Sequence, residues 1–165
     1  MIRHASLVAM RLERRWAGAL IEGPPGAGKS DLALRALGTG FRLVSDDGTV
    51  VWASGGTLYG RAAGPLVGLV EARGIGIVTE SPVWIAEIGL VVACKPADGD
   101  VERLPDPRAE IIEGIAVPRL DLRALEASAP AKLRRAIEHL GRGGQQAYLA
   151  PSLGGQNRAG TGDTA

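Results

Sequence analysis

The chain predicts an α/β fold, a domain with a strand-rich mixed sheet built around a phosphate-binding loop, and three observations carry that prediction. Gly23-Pro24-Pro25-Gly26-Ala27-Gly28-Lys29-Ser30 satisfies the pattern G-x-x-x-x-G-K-[ST] at every position. It stands between a short apolar run, Ala19-Leu20-Ile21, and a helical segment, Asp31-Leu32-Ala33-Leu34-Arg35-Ala36-Leu37. The middle of the chain then alternates short apolar runs with glycine-rich turns, unlike the regular strand–helix alternation of a doubly wound sheet. At 165 residues the chain is one domain, long enough to bury a sizeable core.

From the N-terminus, Ser6-Leu7-Val8-Ala9-Met10 reads as a strand, Arg11-Leu12-Glu13-Arg14-Arg15 as a polar turn, and Trp16 to Glu22 as the return strand into the loop. Gly23, Gly26 and Gly28 permit the backbone turns that point successive N–H groups at phosphate oxygens. Pro24, Pro25 and Ala27 complete the loop. Lys29 brings a mobile positive charge to the outer phosphates, and the Ser30 hydroxyl suits Mg²⁺. The following helix aims its N-terminal dipole at the same anion. Lysine occurs only at positions 29, 95 and 132, so its presence at the one position that needs it weighs against chance.

Phe41-Arg42-Leu43-Val44 reads as the next strand, ending at Ser45-Asp46-Asp47. A right-handed crossover from the loop through one helix would bring both aspartates to the loop's edge of the sheet. There, one carboxylate can serve metal and the other a proton, although Asp-Asp-Gly is equally good turn chemistry. Val50-Val51-Trp52 and Thr57-Leu58-Tyr59 flank Ala53-Ser54-Gly55-Gly56 as a hairpin. Ile75-Gly76-Ile77-Val78 and Ile88-Gly89-Leu90-Val91-Val92 read as further strands. Pro130 to Leu140 carries Leu133, Ile137 and Leu140 at helical spacing. Beyond Gly141 the composition turns to Gly, Gln, Ser and Thr, which predicts a disordered tail over 141–165 behind a domain of residues 1–140.

A net charge of +1 gives no electrostatic footprint for nucleic acid or an anionic membrane. Cys94 is the single cysteine and lies in an apolar run, so it reads as a buried small hydrophobe. No secretory signal is legible at the N-terminus, and the longest apolar run, Ile85 to Cys94, contains Glu87 and is too short for a bilayer. The expected location is the cytoplasm.

Three segments together resemble the catalytic domain of the HPr kinase/phosphorylase family. They are the loop through Lys29-Ser30-Asp31 to Leu43-Val44-Ser45-Asp46-Asp47, the stretch Val70-Glu71-Ala72-Arg73-Gly74-Ile75-Gly76-Ile77, and Glu102-Arg103-Leu104-Pro105. The second is similar to the family's L-E-[IV]-R-G-[LI]-G-I stretch. The resemblance implies a fold similar to phosphoenolpyruvate carboxykinase and an ATP- and Mg²⁺-dependent protein serine kinase acting on an HPr-like phosphocarrier, in carbon and phosphotransferase-system regulation. It also implies a homo-oligomer, a hexamer in that family. By resemblance, Lys29 holds the outer phosphates, Ser30 binds Mg²⁺, Asp47 accepts the serine proton, and Asp46 stands near the metal. Glu71 becomes a magnesium-associated carboxylate, Arg103 a catalytic arginine, and His4 the histidine close to the aspartate.

Against the family's longer members, which carry an N-terminal domain, the sequence reads as a short form, and the V-R-P-G-R-N segment tied to phosphoserine removal is not found in it. Ala116-Val117-Pro118-Arg119-Leu120 occupies that neighbourhood, so kinase chemistry is the better supported direction. The stretch from His4 to Gly23 is also longer than usual. Two rival readings stand beside this one: a P-loop kinase of small molecules, which would need a lid that the sequence does not display, and an ATP-sensing module without catalysis, which would have no use for Asp47, Glu71 and Arg103.

Overall fold

The computed structural model describes residues 1–141. Its strands are β1 (Ile2–Arg3), β2 (Ser6–Leu12), β3 (Arg15–Glu22), β4 (Arg42–Ser45), β5 (Thr49–Ser54), β6 (Thr57–Ala62), β7 (Leu69–Ala72), β8 (Gly76–Thr79), β9 (Ala86–Lys95), β10 (Arg108–Ile112) and β11 (Ile115–Arg123). The helices are α1 (Lys29–Leu37) and α2 (Ala129–Leu140), and a single 3-10 turn covers Gly64–Leu66. The expected tail lies outside the described residues from position 142 onward.

One mixed sheet runs in the order β1-β5-β6-β9-β3-β2-β4, and the β10–β11 hairpin joins it through β11 on β9. Among the described residues, β7 and β8 pair only with each other. β3 and β4 are both antiparallel to β2 and therefore run the same way. β9 is parallel to β3, and β11 is parallel to β9. The carboxyl ends of β3, β4, β9 and β11 consequently open on one edge, where open α/β sheets bind ligands.

Alternation along the strands sends successive side chains to opposite faces. Val8, Met10, Ala19, Ile21, Leu90 and Val92 pack with Leu32, Ala33 and Ala36 of α1 and with Leu133 and Ile137 of α2. Leu7, Ala9, Leu20, Ile88 and Val91 face the other way, against Val51, Leu58, Ile112 and Val117 of the outer hairpins. Both faces of β2, β3 and β9 are thus covered. This explains why they read as continuous apolar runs rather than alternating ones.

Several expectations shift on contact with the structure. The first hairpin turns at Glu13-Arg14 alone, with Glu13 at φ 55°, because β2 continues to Leu12 and β3 begins at Arg15. Arg11 pairs with Trp16 across the ladder and lays its guanidinium 5.7 Å from the Trp16 ring centroid, so a residue expected in a polar turn belongs to the strand. β4 sits beside β2, with β2 between it and β3, yet Asp46 and Asp47 still follow its carboxyl end. β10 and β11 were not foreseen. Their turn, Glu113-Gly114, has both residues at positive φ (49° and 77°), which suits a two-residue hairpin. Cys94 is buried, and burial pushes its thiol up to about 11 despite the nearby Lys29 charge.

Candidate active site

The loop leaves the end of β3 at Gly23 and enters α1 at Lys29. Two glycines are required by geometry. A Cβ on Gly23 would lie 2.9 Å from the Cys94 carbonyl oxygen, where the loop crosses the end of β9. Gly28 has φ 89°, and a Cβ there would meet Leu125 Cδ2 at 2.8 Å. Within the loop the Ala27 N–H donates to the Pro24 carbonyl at 3.1 Å, tightening the turn. The N–H groups of Gly26, Gly28, Lys29 and Ser30 donate to no acceptor among the described residues. A run of unspent donors at the start of a helix is the donor set a phosphate group needs. Lys29 Nζ folds back over the loop, donating to the Gly23 carbonyl at 3.1 Å and the Pro24 carbonyl at 3.3 Å.

Asp46 follows β4 and is 7 % exposed. Its Oδ1 accepts from Ser30 Oγ at 2.8 Å and from Ser6 Oγ at 2.7 Å; its Oδ2 accepts from the Glu71 N–H at 3.1 Å. Asp47 turns outward in a left-handed conformation at φ 61°. His4 Nδ1 lies 3.2 Å from Asp47 Oδ1 and 3.0 Å from the Asp47 carbonyl oxygen. Both neighbours are acceptors, so Nδ1 carries the proton. These two side chains are exposed, 85 % for His4 and 66 % for Asp47.

A cleft of about 390 Å³ opens between these parts, bounded by the loop from Pro25 to Asp31, by Asp47, by Glu71 and Arg73, and by Leu34 and Leu125. The structure therefore brings together Lys29, Ser30, Asp47 and Glu71, with His4 on Asp47 and Asp46 directly behind Ser30. It does not bring Arg103 there: Arg103 is exposed on the 96–107 connection between β9 and β10 and is not among the residues lining the cleft. Arg73 and Ser6 join the site instead. Arg73 stands two positions from Glu71 in a motif already singled out, so it was within reach of sequence reasoning. Ser6 was hidden, because only the pairing of β2 with β4 brings it to Asp46.

Among the described residues no group of three His, Cys, Asp or Glu side chains surrounds a point fit for a metal. Mg²⁺ seldom uses an all-protein cage; it keeps waters and combines one or two protein ligands with nucleotide phosphates. One hydroxyl, Ser30, with Asp46 behind it and Glu71 across the cleft, fits that mode.

At Glu22, the residue before the loop, four charges interlock. Arg3 reaches Glu22 at 2.5 Å and Glu110 at 2.7 Å, and Arg119 pairs with Glu110 and lies 3.9 Å from Glu22. Burial alone would raise the Glu110 carboxyl, but hydrogen bonds and charge from Arg3 and Arg119 hold it below its ordinary range. Burial likewise opposes the Arg3 charge, and Glu110 and Glu22 reverse the effect, leaving it above its ordinary value.

Residues 3–120 match the family model of the HPr Serine kinase C-terminal domain. Over 148 residues the chain is 31% identical to the HPr kinase/phosphorylase of Streptococcus thermophilus, an overlap of 83% of this chain and 46% of that protein. With the HPr kinase/phosphorylase of Limosilactobacillus reuteri it shares 32% identity over 160 residues, 90% of this chain and 48% of that protein. The chain spans about half the length of these curated relatives. The solved HPr(Ser) kinase/phosphatase of Coxiella burnetii superposes with a TM-score of 0.71 at 25% identity, covering 84% of this chain and 89% of that one. Because the family match runs from β1 into β11, and so contains every strand that bounds the cleft, the chain belongs to the HPr Serine kinase C-terminal domain family.

Proposed function

We propose that this protein transfers the terminal phosphoryl group of ATP to a serine of an HPr-type phosphocarrier, as a cytoplasmic protein serine kinase whose catalytic domain is residues 1–140. The observation that carries this reading is the pairing, across one cleft, of a loop of unspent N–H donors with an exposed carboxylate, Asp47, oriented by His4. The phosphate-loop assignment, the kinship with phosphoenolpyruvate carboxykinase, a role in carbon and phosphotransferase-system signalling, and assembly as a homo-oligomer belong to the same proposal.

The loop N–H groups of Gly26, Gly28, Lys29 and Ser30 would hold the phosphates, and the α1 dipole adds to their field. Lys29 would exchange its two carbonyl contacts for phosphate oxygens. Mg²⁺, held through Ser30 with Asp46 and Glu71 near it, neutralises phosphate charge when bound. Asp47 takes the proton of the incoming serine hydroxyl as the new oxygen–phosphorus bond forms and ADP departs. A carboxylate suffices for this, because phosphoryl transfer needs position and charge neutralisation more than a strong base. Exposure of Asp47 and His4 at the rim suits a protein substrate, whose serine must approach from outside.

The forward direction is favoured over phosphorolysis. Reversal needs inorganic phosphate close to phosphoserine against their mutual repulsion. Arg119, the arginine in the neighbourhood of the missing basic segment, is spent on Glu110. Supplied with phosphoserine-HPr, Mg²⁺ and inorganic phosphate, the protein should release pyrophosphate far more slowly than it phosphorylates HPr; comparable rates would refute this. The nucleotide site itself is tested by Lys29→Ala, which should weaken ATP binding and abolish transfer. Unchanged ATP affinity in that variant would put the nucleotide elsewhere.

A further inference from the structure

We propose that Ser6 is a positioning residue of the nucleotide site: its hydroxyl fixes the Asp46 carboxylate so that Ser30 presents its lone pairs to the cleft for Mg²⁺. The inference rests on the nucleotide-binding part of the function proposed above. Ser6 is 0 % exposed and opens a strand whose next four residues are all buried hydrophobics. A buried hydroxyl is costly unless it is hydrogen-bonded, and the side-chain partner of this one is Asp46, 40 residues away. The contact follows from strand register. Leu7 faces Ser45, and a bulge between Leu7 and Val8 shifts the ladder at that point, so the preceding position comes against Asp46.

The consequence lies in how a single hydrogen is used. A serine hydroxyl has one proton and two acceptor lone pairs. Ser30 spends its proton on Asp46 Oδ1, which leaves its lone pairs for a cation. That orientation lasts only while the carboxylate is kept from rotating. Ser6 supplies the second donor on the same oxygen, and the Glu71 N–H holds the other oxygen. The carboxylate therefore ties together β2, the start of α1 and β7, the strand that carries Glu71 to the cleft. Without Ser6, the carboxylate would be held by Ser30 and the Glu71 amide alone, one donor on each oxygen, and Oδ1 would be less firmly fixed toward Ser30.

The test titrates Mg²⁺ into the 165-residue chain with ATP and follows nucleotide binding by calorimetry, beside binding in EDTA. Ser6→Ala should raise the Mg²⁺ concentration required by about tenfold, the lower end of what a hydrogen bond to an ionised group contributes. Binding in EDTA should not change, the Glu71 amide should exchange its hydrogen faster, and Ser6→Thr, which keeps the hydroxyl, should restore the Mg²⁺ dependence. An unchanged Mg²⁺ titration in Ser6→Ala would overturn the proposal, as would an equal loss of binding with and without metal. Failure of the kinase reading is separable. A wild-type protein that binds Mg·ATP but labels no phosphocarrier ends that reading, while the Ser6 titration still decides the role of Ser6.

Discussion

Asp46 and Asp47 are adjacent, yet one is buried beneath three donors and the other projects into solvent at φ 61° beside His4. Their environments suit the different tasks proposed for them. Asp46 is poorly placed to take a substrate proton, since it is 7 % exposed and three of its four acceptor positions are spent, two on serines at Oδ1 and one on an amide at Oδ2. Asp47 is better placed, at the mouth of the cleft. Asp47→Asn should therefore keep Mg·ATP binding and slow transfer to HPr by about a hundredfold or more, the scale of a lost general base. Asp46→Asn should chiefly raise the Mg²⁺ requirement, because an amide keeps only one acceptor atom and its NH2 must face either the serine hydroxyls or the Glu71 N–H. Equal loss of nucleotide binding in the two variants, measured by calorimetry, would show that they act as one metal site. The adjacency of the two carboxylates was legible in the sequence, and the resemblance supplied their proposed division of labour, but the contrast in their surroundings could not be read from local pattern. It depends on Ser6, Ser30 and Glu71 converging from three separate elements.

Among the elements, those set by local chemistry were the ones foreseen. The loop, α1 and the Gly55-Gly56 turn each follow from a few consecutive residues, and β9 from an apolar run. β10 and β11 were missed because their partner, β9, is remote in sequence and Pro118 interrupts the pattern within β11. β7 was missed because Leu69–Ala72 lacks a long apolar stretch and pairs only with β8. Arg103, expected at the site, rode on a resemblance in a segment with no regular structure. The hairpin β10–β11 and the short β1 are tied to the end of β3 by the lattice of Arg3, Glu22, Glu110 and Arg119. This gives a pH dependence whose sign follows from Glu110. Its folded carboxyl titrates below the unfolded one, so its contribution is complete above the ordinary carboxylate range and disappears as pH falls through the folded value. Glu110→Gln should lower stability near neutral pH by about 1 kcal/mol, the upper end of the range for ion pairs that water still reaches. The gap from wild type in denaturant unfolding should close in acid. A gap of constant size down to low pH would mean that the lattice acts through packing rather than charge.

For the whole molecule, the mixed sheet leaves one edge open. Four strands end there, and helices and hairpins cover both faces of the central strands, leaving the carboxyl edge to carry the loop and both aspartates. No described helix is long and apolar enough to cross a membrane. The family membership fixes the kind of domain, whereas the chain spans only about half of its curated relatives, so its own activity must be measured. The most direct measurement is transfer of label from γ-labelled ATP to purified HPr, with Mg²⁺ present and the labelled residue identified. The account predicts phosphoserine on HPr that depends on Mg²⁺ and disappears in Lys29→Ala. ATP bound at the loop with no label passed to HPr would contradict it.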